Sequence, residues 1–321
     1  MKSSSELTDY YYNILHGDLL DLEEERKKIK SKISIRISFL ILLFVGIMYG
    51  IYSINNSFHN SHFFIAVLGV AISTFIYKLS IKDYATNFKF RIIAPLIKAI
   101  DEKLDYRAAS HVSINTFRRS KLFKREAERF GGNDLVKGSI EGISLQFSDI
   151  HAQYKATKSK ESNDWRTLFQ GLFIVADFNK HFHATTLVLP DRAEKTLGAL
   201  IGGWVQSNNT QHGQLMKMDN IEFEKHFVVY GGDPIEARYI LTPSMMQRIV
   251  DFKHRSKQDL YISFTSDKIH IAIAYNKDLF EPTVFSSLLD YKSAMEYIKT
   301  LHLAVGIVQE LQLNQKLWSK Q

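Results

Sequence analysis

The sequence predicts an α+β protein, in which an N-terminal transmembrane helical hairpin is followed by a mainly antiparallel-sheet cytoplasmic domain with flanking helices. Three observations carry that expectation. From Ile37 to Tyr77 there is no Asp, Glu, Lys or Arg over 41 residues, although 23% of the 321-residue chain is charged. Beyond residue 140 apolar positions recur every second residue, the period of a strand. Strands and helices there intermix without the βαβ rhythm of a parallel sheet.

Residues 1–36 read as a cytoplasmic N-terminal helix. Leu19, Leu22 and Ile29 form a thin apolar stripe among Asp21, Glu23, Glu24 and Glu25. Acidic residues ahead of Lys and Arg suit i,i+4 pairs, and the segment reads as a solvated lead-in. Residues 37–82 read as the hairpin. In Ile37–Ile54, 11 of 18 residues are Leu, Ile, Phe or Val. At mid-helix they favour insertion by on the order of 3–7 kcal/mol. Phe63–Tyr77 is the second span, extended to Ile81 with Lys78 and Lys82 reaching for the headgroups. Asn55–His62 is a polar turn between them. Arg26, Lys27, Lys28, Lys30, Lys32 and Arg36 precede the pair, Lys78, Lys82, Lys89 and Arg91 follow it, and the turn carries no Lys or Arg. The positive-inside rule therefore puts both termini in the cytoplasm of a two-pass membrane protein, with the turn outside. No basic n-region or cleavage site precedes the first span, so it reads as an anchor rather than a cleaved signal. Gly46 and Gly50 have the GxxxG spacing of a self-association face, but packing against the second span is the plainer expectation. Homo-oligomerisation stays open.

Residues 83–130 read as a basic juxtamembrane helical connector. Ile92, Ile93, Leu96, Ile97, Ile100 and Leu104 fall at helical spacing, and Pro95 demands a kink or a restart near Ala94. Charge concentrates here. Residues 78–125 carry a net +8, while residues 1–36 are neutral and residues 126–321 sum to −1. Within FRRSKLFKR, Arg118, Arg119, Lys121, Lys124 and Arg125 form a lipid-facing basic belt for an anionic inner leaflet. The run lacks the aromatic interleaving and surrounding motif of a nucleic-acid binder, so no nucleic acid is expected.

Residues 131–321 read as the α+β domain. FGGND, Phe130–Asp134, reads as a turn. Ile143, Leu145 and Phe147, then Ile150, Ala152 and Tyr154, alternate as a strand does. Leu168–Phe178 and His181–Leu189 read as a hairpin about Asn179-Lys180, and Asp191 with Glu194 as a capping box opening a helix to about Val205. Phe227–Tyr230 and Glu236–Leu241 read as strands, Thr242-Pro243 as a helix start, and Leu260–Phe264 with Lys268–Tyr275 as a hairpin. A long helix from about Lys292 to Leu313 closes the chain.

Chemistry is sparse. The absence of cysteine excludes disulfides, thiolate metal sites and a cysteine nucleophile. There is no P-loop, dinucleotide fingerprint or GxSxG elbow, so no cofactor is expected. His181 and His183 share a strand face as read, but lack a third ligand at metal spacing. Gly198, Gly202 and Gly203 suit close helix–sheet packing. His270 reads as exposed, opposite Ile269 and Ile271. The densest constellation is FEKHFVVYGGDPIEARYILTPSMMQRI, Phe223–Ile249, where Asp233, Glu236, Arg238 and Tyr239 form a possible recognition site around the Gly-Gly turn. The plainer reading makes Glu236 and Arg238 a cross-strand ion pair.

Two of these motifs, LFQGLFIVADFNKHFHATTLVLPD (Leu168–Asp191) and EFEKHFVVYGGDPIEARYILTPSMMQRI (Glu222–Ile249), together with the paired spans and FEP at Phe280–Pro282, carry a resemblance. The chain resembles a bacterial membrane-protein family known as domain of unknown function 3137. That resemblance implies a bacterial cytoplasmic-membrane location and supplies no activity or catalytic residues. The functional expectation is a membrane-anchored protein-interaction or regulatory module with a protein partner. The alternative is a membrane-bound enzyme acting on a lipid or soluble metabolite, using Asp233, Glu236, Arg238 or the His181/His183 pair.

Overall fold

A computed structural model describes residues 2–55, 60–156, 164–178, 180–191, 213–275 and 277–313. They fall into two compact units, Lys2–Ala99 with Phe280–Ile298, and Ile100–Leu279 with the chain from Lys299 onward.

The first unit is helical. Helix α1 (Ser4–Asp9) begins with a capping box, the Ser3 hydroxyl accepting from Glu6 N at 3.2 Å while the Glu6 carboxylate accepts from Ser3 N at 2.7 Å. A π-turn at Tyr10–Ile14 leads into α2 (His16–Asn55), whose 40 residues extend through the apolar span without a break. Its antiparallel neighbour in sequence, α3 (Asn60–Phe88), packs on it, with Phe44 lying where a Cβ on Gly69 would come within 3.1 Å. Gly46 and Gly50 contribute nothing to that packing, because a Cβ on either would meet no atom within 4 Å. The close approach comes from Gly69 instead.

Pro95 is accommodated without a break. A π-turn at Lys89–Ile93 lets the Ala94 N–H reach the Lys89 carbonyl, and α4 (Ala94–Ile100) restarts at the expected residue. The wider turn absorbs the carbonyl that the proline ring would strike.

The lead-in is not a solvated helix. Leu7, Tyr11, Leu19 and Leu22 are fully buried, together with Tyr84, Phe88 and Ile92. The cover comes from the segment after Phe280, a long-range pairing that residue spacing near the N-terminus does not reveal. The Tyr11 hydroxyl donates to the Leu288 carbonyl at 2.9 Å, and Phe88 meets Tyr297 at 5.1 Å. Arg26 grips both oxygens of Glu23 at 2.7 and 2.8 Å and donates to the Val284 carbonyl at 2.6 Å. Glu23 also accepts from Leu288 N at 3.1 Å. Arg91 bridges Asp18 and Asp21, and Lys89 pairs with Glu281.

The second unit is built on a wholly antiparallel sheet. Its strands are β1 (Asp105–Arg107), β2 (Arg129–Ile140), β3 (Ile143–Lys155), β4 (Trp165–Asp177), β5 (Thr186–Pro190), β6 (Gln214–Met216), β7 (Phe227–Gly231), β8 (Leu260–Thr265) and β9 (Lys268–Ala274). Their order across the sheet is β1-β2-β3-β4-β9-β8-β5-β7-β6. The alternation read from β3 is correct, including its change of face between Phe147 and Ile150. Ser148 and Asp149 are buried at the crossover, where Ser148 Oγ accepts from Val112 N and Asp149 Oδ2 from Leu279 N.

Three local expectations are corrected. FGGND lies inside β2, where a Cβ on Gly132 would fall 2.0 Å from the Asp149 carbonyl oxygen. Glycine there serves close strand pairing rather than a turn. The turn is Glu141-Gly142, both at positive φ, the two-residue hairpin geometry. Leu168–Phe178 and His181–Leu189 do not pair with each other. Strand β4 lies between β3 and β9, β5 lies between β8 and β7, and residues 181–185 are loop. Glu236–Leu241 is not a strand but most of a helix, α7, described below. The helix expected from Asp191 to Val205, with its glycines, lies outside the described residues beyond Asp191, and Asn179 is likewise outside them.

Helix α5 (Ile114–Arg119) and the chain after it cover one face of the sheet. Beyond β6 come α6 (Ile221–Glu224), α7 (Pro234–Ile240), α8 (Pro243–Ser256) and α9 (Tyr291–Glu310). Thr242 caps α8, accepting from Met245 N at 3.2 Å with Pro243 in the first turn, as the sequence indicates.

Candidate functional site

The basic run at Phe117–Arg125 is tied to the sheet by its aromatic residues. Ser113 caps α5 by accepting from Thr116 N at 3.1 Å, which starts the helix where Phe117 can turn inward. Phe117 stacks on Phe123 at 5.1 Å and meets Phe173 at 5.2 Å, while Phe123 meets Tyr261 at 5.8 Å. These rings join a buried layer with Ile150, Ala152, Val175, Leu187 and Ala272. With Phe117 buried and Phe123 partly buried against that layer, the run leaves its cations at the rim.

Between that rim and the sheet lies a cleft of about 520 Å³. Arg119 and Lys121 form one wall, Thr265, Ser266, Asp267 and Lys268 of the β8–β9 turn the other, and Val175 and His270 contribute from the strands. An adjoining recess of about 290 Å³ shares Lys121, Thr265 and Ser266 and is lined by His183, Ala184 and Thr185. Lys121 Nζ donates to Thr185 Oγ1 at 3.2 Å, and Thr185 and Thr265 exchange a hydroxyl contact at 3.1 Å. Lys268 is neutralised by Asp177. Among the described residues, neither Arg119 nor Lys121 has a carboxylate partner. The cleft therefore offers two cations without a carboxylate partner and a row of hydroxyls, with Asp267 as an acid on the facing wall, a net basic surface suited to anionic groups.

His270 is buried, 3% exposed, not on the surface as its strand position alone suggests. Burial, with Lys268 alongside, pushes its imidazole down to about 4, so it is neutral at pH 7. Its Nδ1 and the Oγ of Ser263, its cross-strand neighbour, are both buried without hydrogen-bond partners among the described residues. The two groups share a sheet face yet do not bond to one another, so no serine–histidine nucleophile pair is assembled.

The four residues singled out around the Gly-Gly turn do not converge. Asp233 caps α7, its Oδ1 accepting from Ile235 N at 2.8 Å and Glu236 N at 3.2 Å. Glu236 is buried and accepts from His183 N at 3.1 Å and Ala184 N at 2.8 Å, so it fixes the loop lining the smaller recess rather than pairing with Arg238. Arg238 is exposed, and Tyr239 is exposed beneath Lys180, whose Nζ sits 3.7 Å from the ring centroid. Of the basic belt, Arg119 and Lys121 line the cleft, Arg118 lies 3.5 Å from Glu126, Arg125 stacks over Tyr154 at 4.6 Å, and Lys124 is exposed. His181 and His183 stand on the loop with rings 6.1 Å apart. Metal-type donors gather elsewhere, where Glu222, His226 and His254 bring one ligand atom each within 4.8 Å of one another. Sequence reading passed over that trio because His254 is remote in sequence, although the i,i+4 spacing of Glu222 and His226 was visible.

Fold and site together define an α+β protein with two long apolar N-terminal helices and a large antiparallel sheet carrying a basic cleft. Residues 167–313 match the family described as "Protein of unknown function (DUF3137)", in agreement with the resemblance carried by the two motifs. No curated protein matches the chain. Among solved structures, the mycobacterial trehalose monomycolate transport factor A, TtfA, aligns at 14% identity over 64% of this chain and 89% of its own, with a TM-score of 0.33. That likeness is too distant to carry a statement about this chain.

Proposed function

We propose that this chain is a two-pass membrane protein whose sheet unit acts in the cytoplasm as an interaction or regulatory module, taking an acidic segment of a partner protein in the basic cleft. The observation that carries the reading is the outward aim of the apolar side chains on α2 and α3. Phe39, Leu42 and Tyr49 are 67%, 70% and 71% exposed, and Phe63, Val70 and Phe75 are 69%, 68% and 63% exposed. Only 6% of the most apolar window of either helix is buried. Such a surface is unfavourable in water and suited to hydrocarbon. The basic flanks of the pair favour cytoplasmic termini. Recognition is favoured over catalysis because the cleft presents two cations without a carboxylate partner and its described residues do not pair a nucleophile with a base.

The test is topological and then local. The chain is expected to resist alkaline extraction from membranes, and a reporter at the C-terminus is expected to report cytoplasm. A photo-crosslinker at Thr116 is expected to capture one partner reproducibly, and Arg119→Glu with Lys121→Glu to abolish that capture. Release by alkali, or a C-terminal reporter active on the far side, overturns the membrane reading. Capture indifferent to the charge reversals overturns the cleft.

A further inference from the structure

We propose that Glu222, His226 and His254 form a binding site for a zinc-type divalent cation, separate from the basic cleft. Glu222 lies on α6 and His226 follows one helical turn later, so both side chains emerge on one side. Helix α6 packs against α8, which delivers His254 from its last turn.

The three side chains stand at ligand spacing, one donor atom from each lying within 4.8 Å of the others. His226 Nε2 is buried and faces Glu222 Oε1 at 3.3 Å. A tetrahedral zinc with bonds of about 2.0–2.1 Å holds its ligand atoms about 3.3 Å apart. The rings of His226 and His254 are 5.1 Å apart and nearly perpendicular, at 89°. Two imidazoles bound to one zinc at the tetrahedral angle place their centroids about 5 Å apart by the same bond lengths. Both separations are compatible with ligands of one metal ion.

The second carboxylate oxygen is already engaged. Lys225 Nζ lies 2.9 Å from Glu222 Oε2, which orients the carboxylate and leaves Oε1 facing the histidines. The carbonyl end of α8 adds partial negative charge beside His254. Two imidazoles and one carboxylate suit zinc, nickel or cobalt better than magnesium or calcium, which prefer all-oxygen sites. His254 is exposed, so the fourth coordination position opens to water.

The test uses untagged full-length protein in detergent, stripped with chelator and titrated with Zn²⁺ by calorimetry, and with Co²⁺ by absorption. One equivalent per chain and a tetrahedral cobalt spectrum are expected. Glu222→Gln and His254→Ala should each lose most of the zinc affinity and the cobalt spectrum while the metal-free protein melts as the parent does. A His181→Ala/His183→Ala variant should bind as the parent does. Failure of the parent to bind one equivalent, or equal binding by Glu222→Gln and His254→Ala, overturns the site.

Discussion

Replacing Asp149 by Asn tests whether the sheet unit holds a carboxyl against its ionisation. Asp149 is 3% exposed on β3. Burial pushes its pKa from 3.8 up to about 7, and Asp278 and Asp134 nearby push the same way, while its hydrogen bond from Leu279 N opposes them. Between those two values the folded chain holds a proton that the unfolded chain has released. Stability therefore falls as pH rises from about 4 to about 7, and levels off above. A shift of about 3 units at about 1.4 kcal/mol each sets a ceiling of about 4 kcal/mol, and local relaxation brings the expected cost to about 2–4 kcal/mol. Asparagine keeps an acceptor for Leu279 N and carries no charge. The variant should melt about 5–15 °C above the parent at pH 8, and about level with it at pH 5. The assay is thermal unfolding of the full chain in detergent, followed by circular dichroism at pH 5, 6 and 8. Glu310, raised to about 7 by burial against the pull of Arg255, contributes a slope of the same sign, so Glu310→Gln added to Asp149→Asn should flatten the profile further. A parent whose melting is independent of pH, or an Asn variant matching the parent at pH 8, refutes the reasoning.

Three further outcomes are expected. Arg26→Met strands the buried Glu23 carboxylate and should cost about 3–5 kcal/mol, with Glu23→Gln added to it recovering most of the loss in the same melting assay. Gly171→Ala should prevent normal folding, read as loss of folded full-length protein recoverable in detergent, because Gly171 has φ +140° and a Cβ there would lie 2.2 Å from the Ile273 carbonyl oxygen. Asp233→Ala removes the cap of α7 and should cost about 1 kcal/mol, whereas Glu236→Ala should speed hydrogen exchange at the His183 and Ala184 amides, which lose their acceptor.

The candidate site was only partly legible. Arg119 and Lys121 stood out as members of a basic run, but their place beside His270 depends on Phe117 and Phe123 packing on the sheet, a contact across distant strands. The helix at Pro234–Ile240 could have been read locally, since Asp233-Pro234 followed by Glu236 is a helix start. The apolar alternation of Ile235, Ala237 and Tyr239 with charged neighbours imitated a strand instead. His270 was assigned correctly to the face opposite Ile269 and Ile271, yet strand alternation does not reveal whether that face is covered.

What the amino-acid order determined by itself were features written in local composition and period. The uncharged stretch specifies two apolar helices, alternation specifies β3, β8 and β9, and Thr242-Pro243 specifies the start of α8. The reason is that spacing, capping and hydropathy act over a few residues. Tertiary structure alone decided which strands are neighbours, so that β4 and β5 are not a hairpin. It alone brought Glu23 and Arg26 beneath the segment after Phe280, and His254 to Glu222 and His226. Those outcomes depend on contacts between residues far apart in the chain, whose free energy comes from burying surfaces that no short window contains.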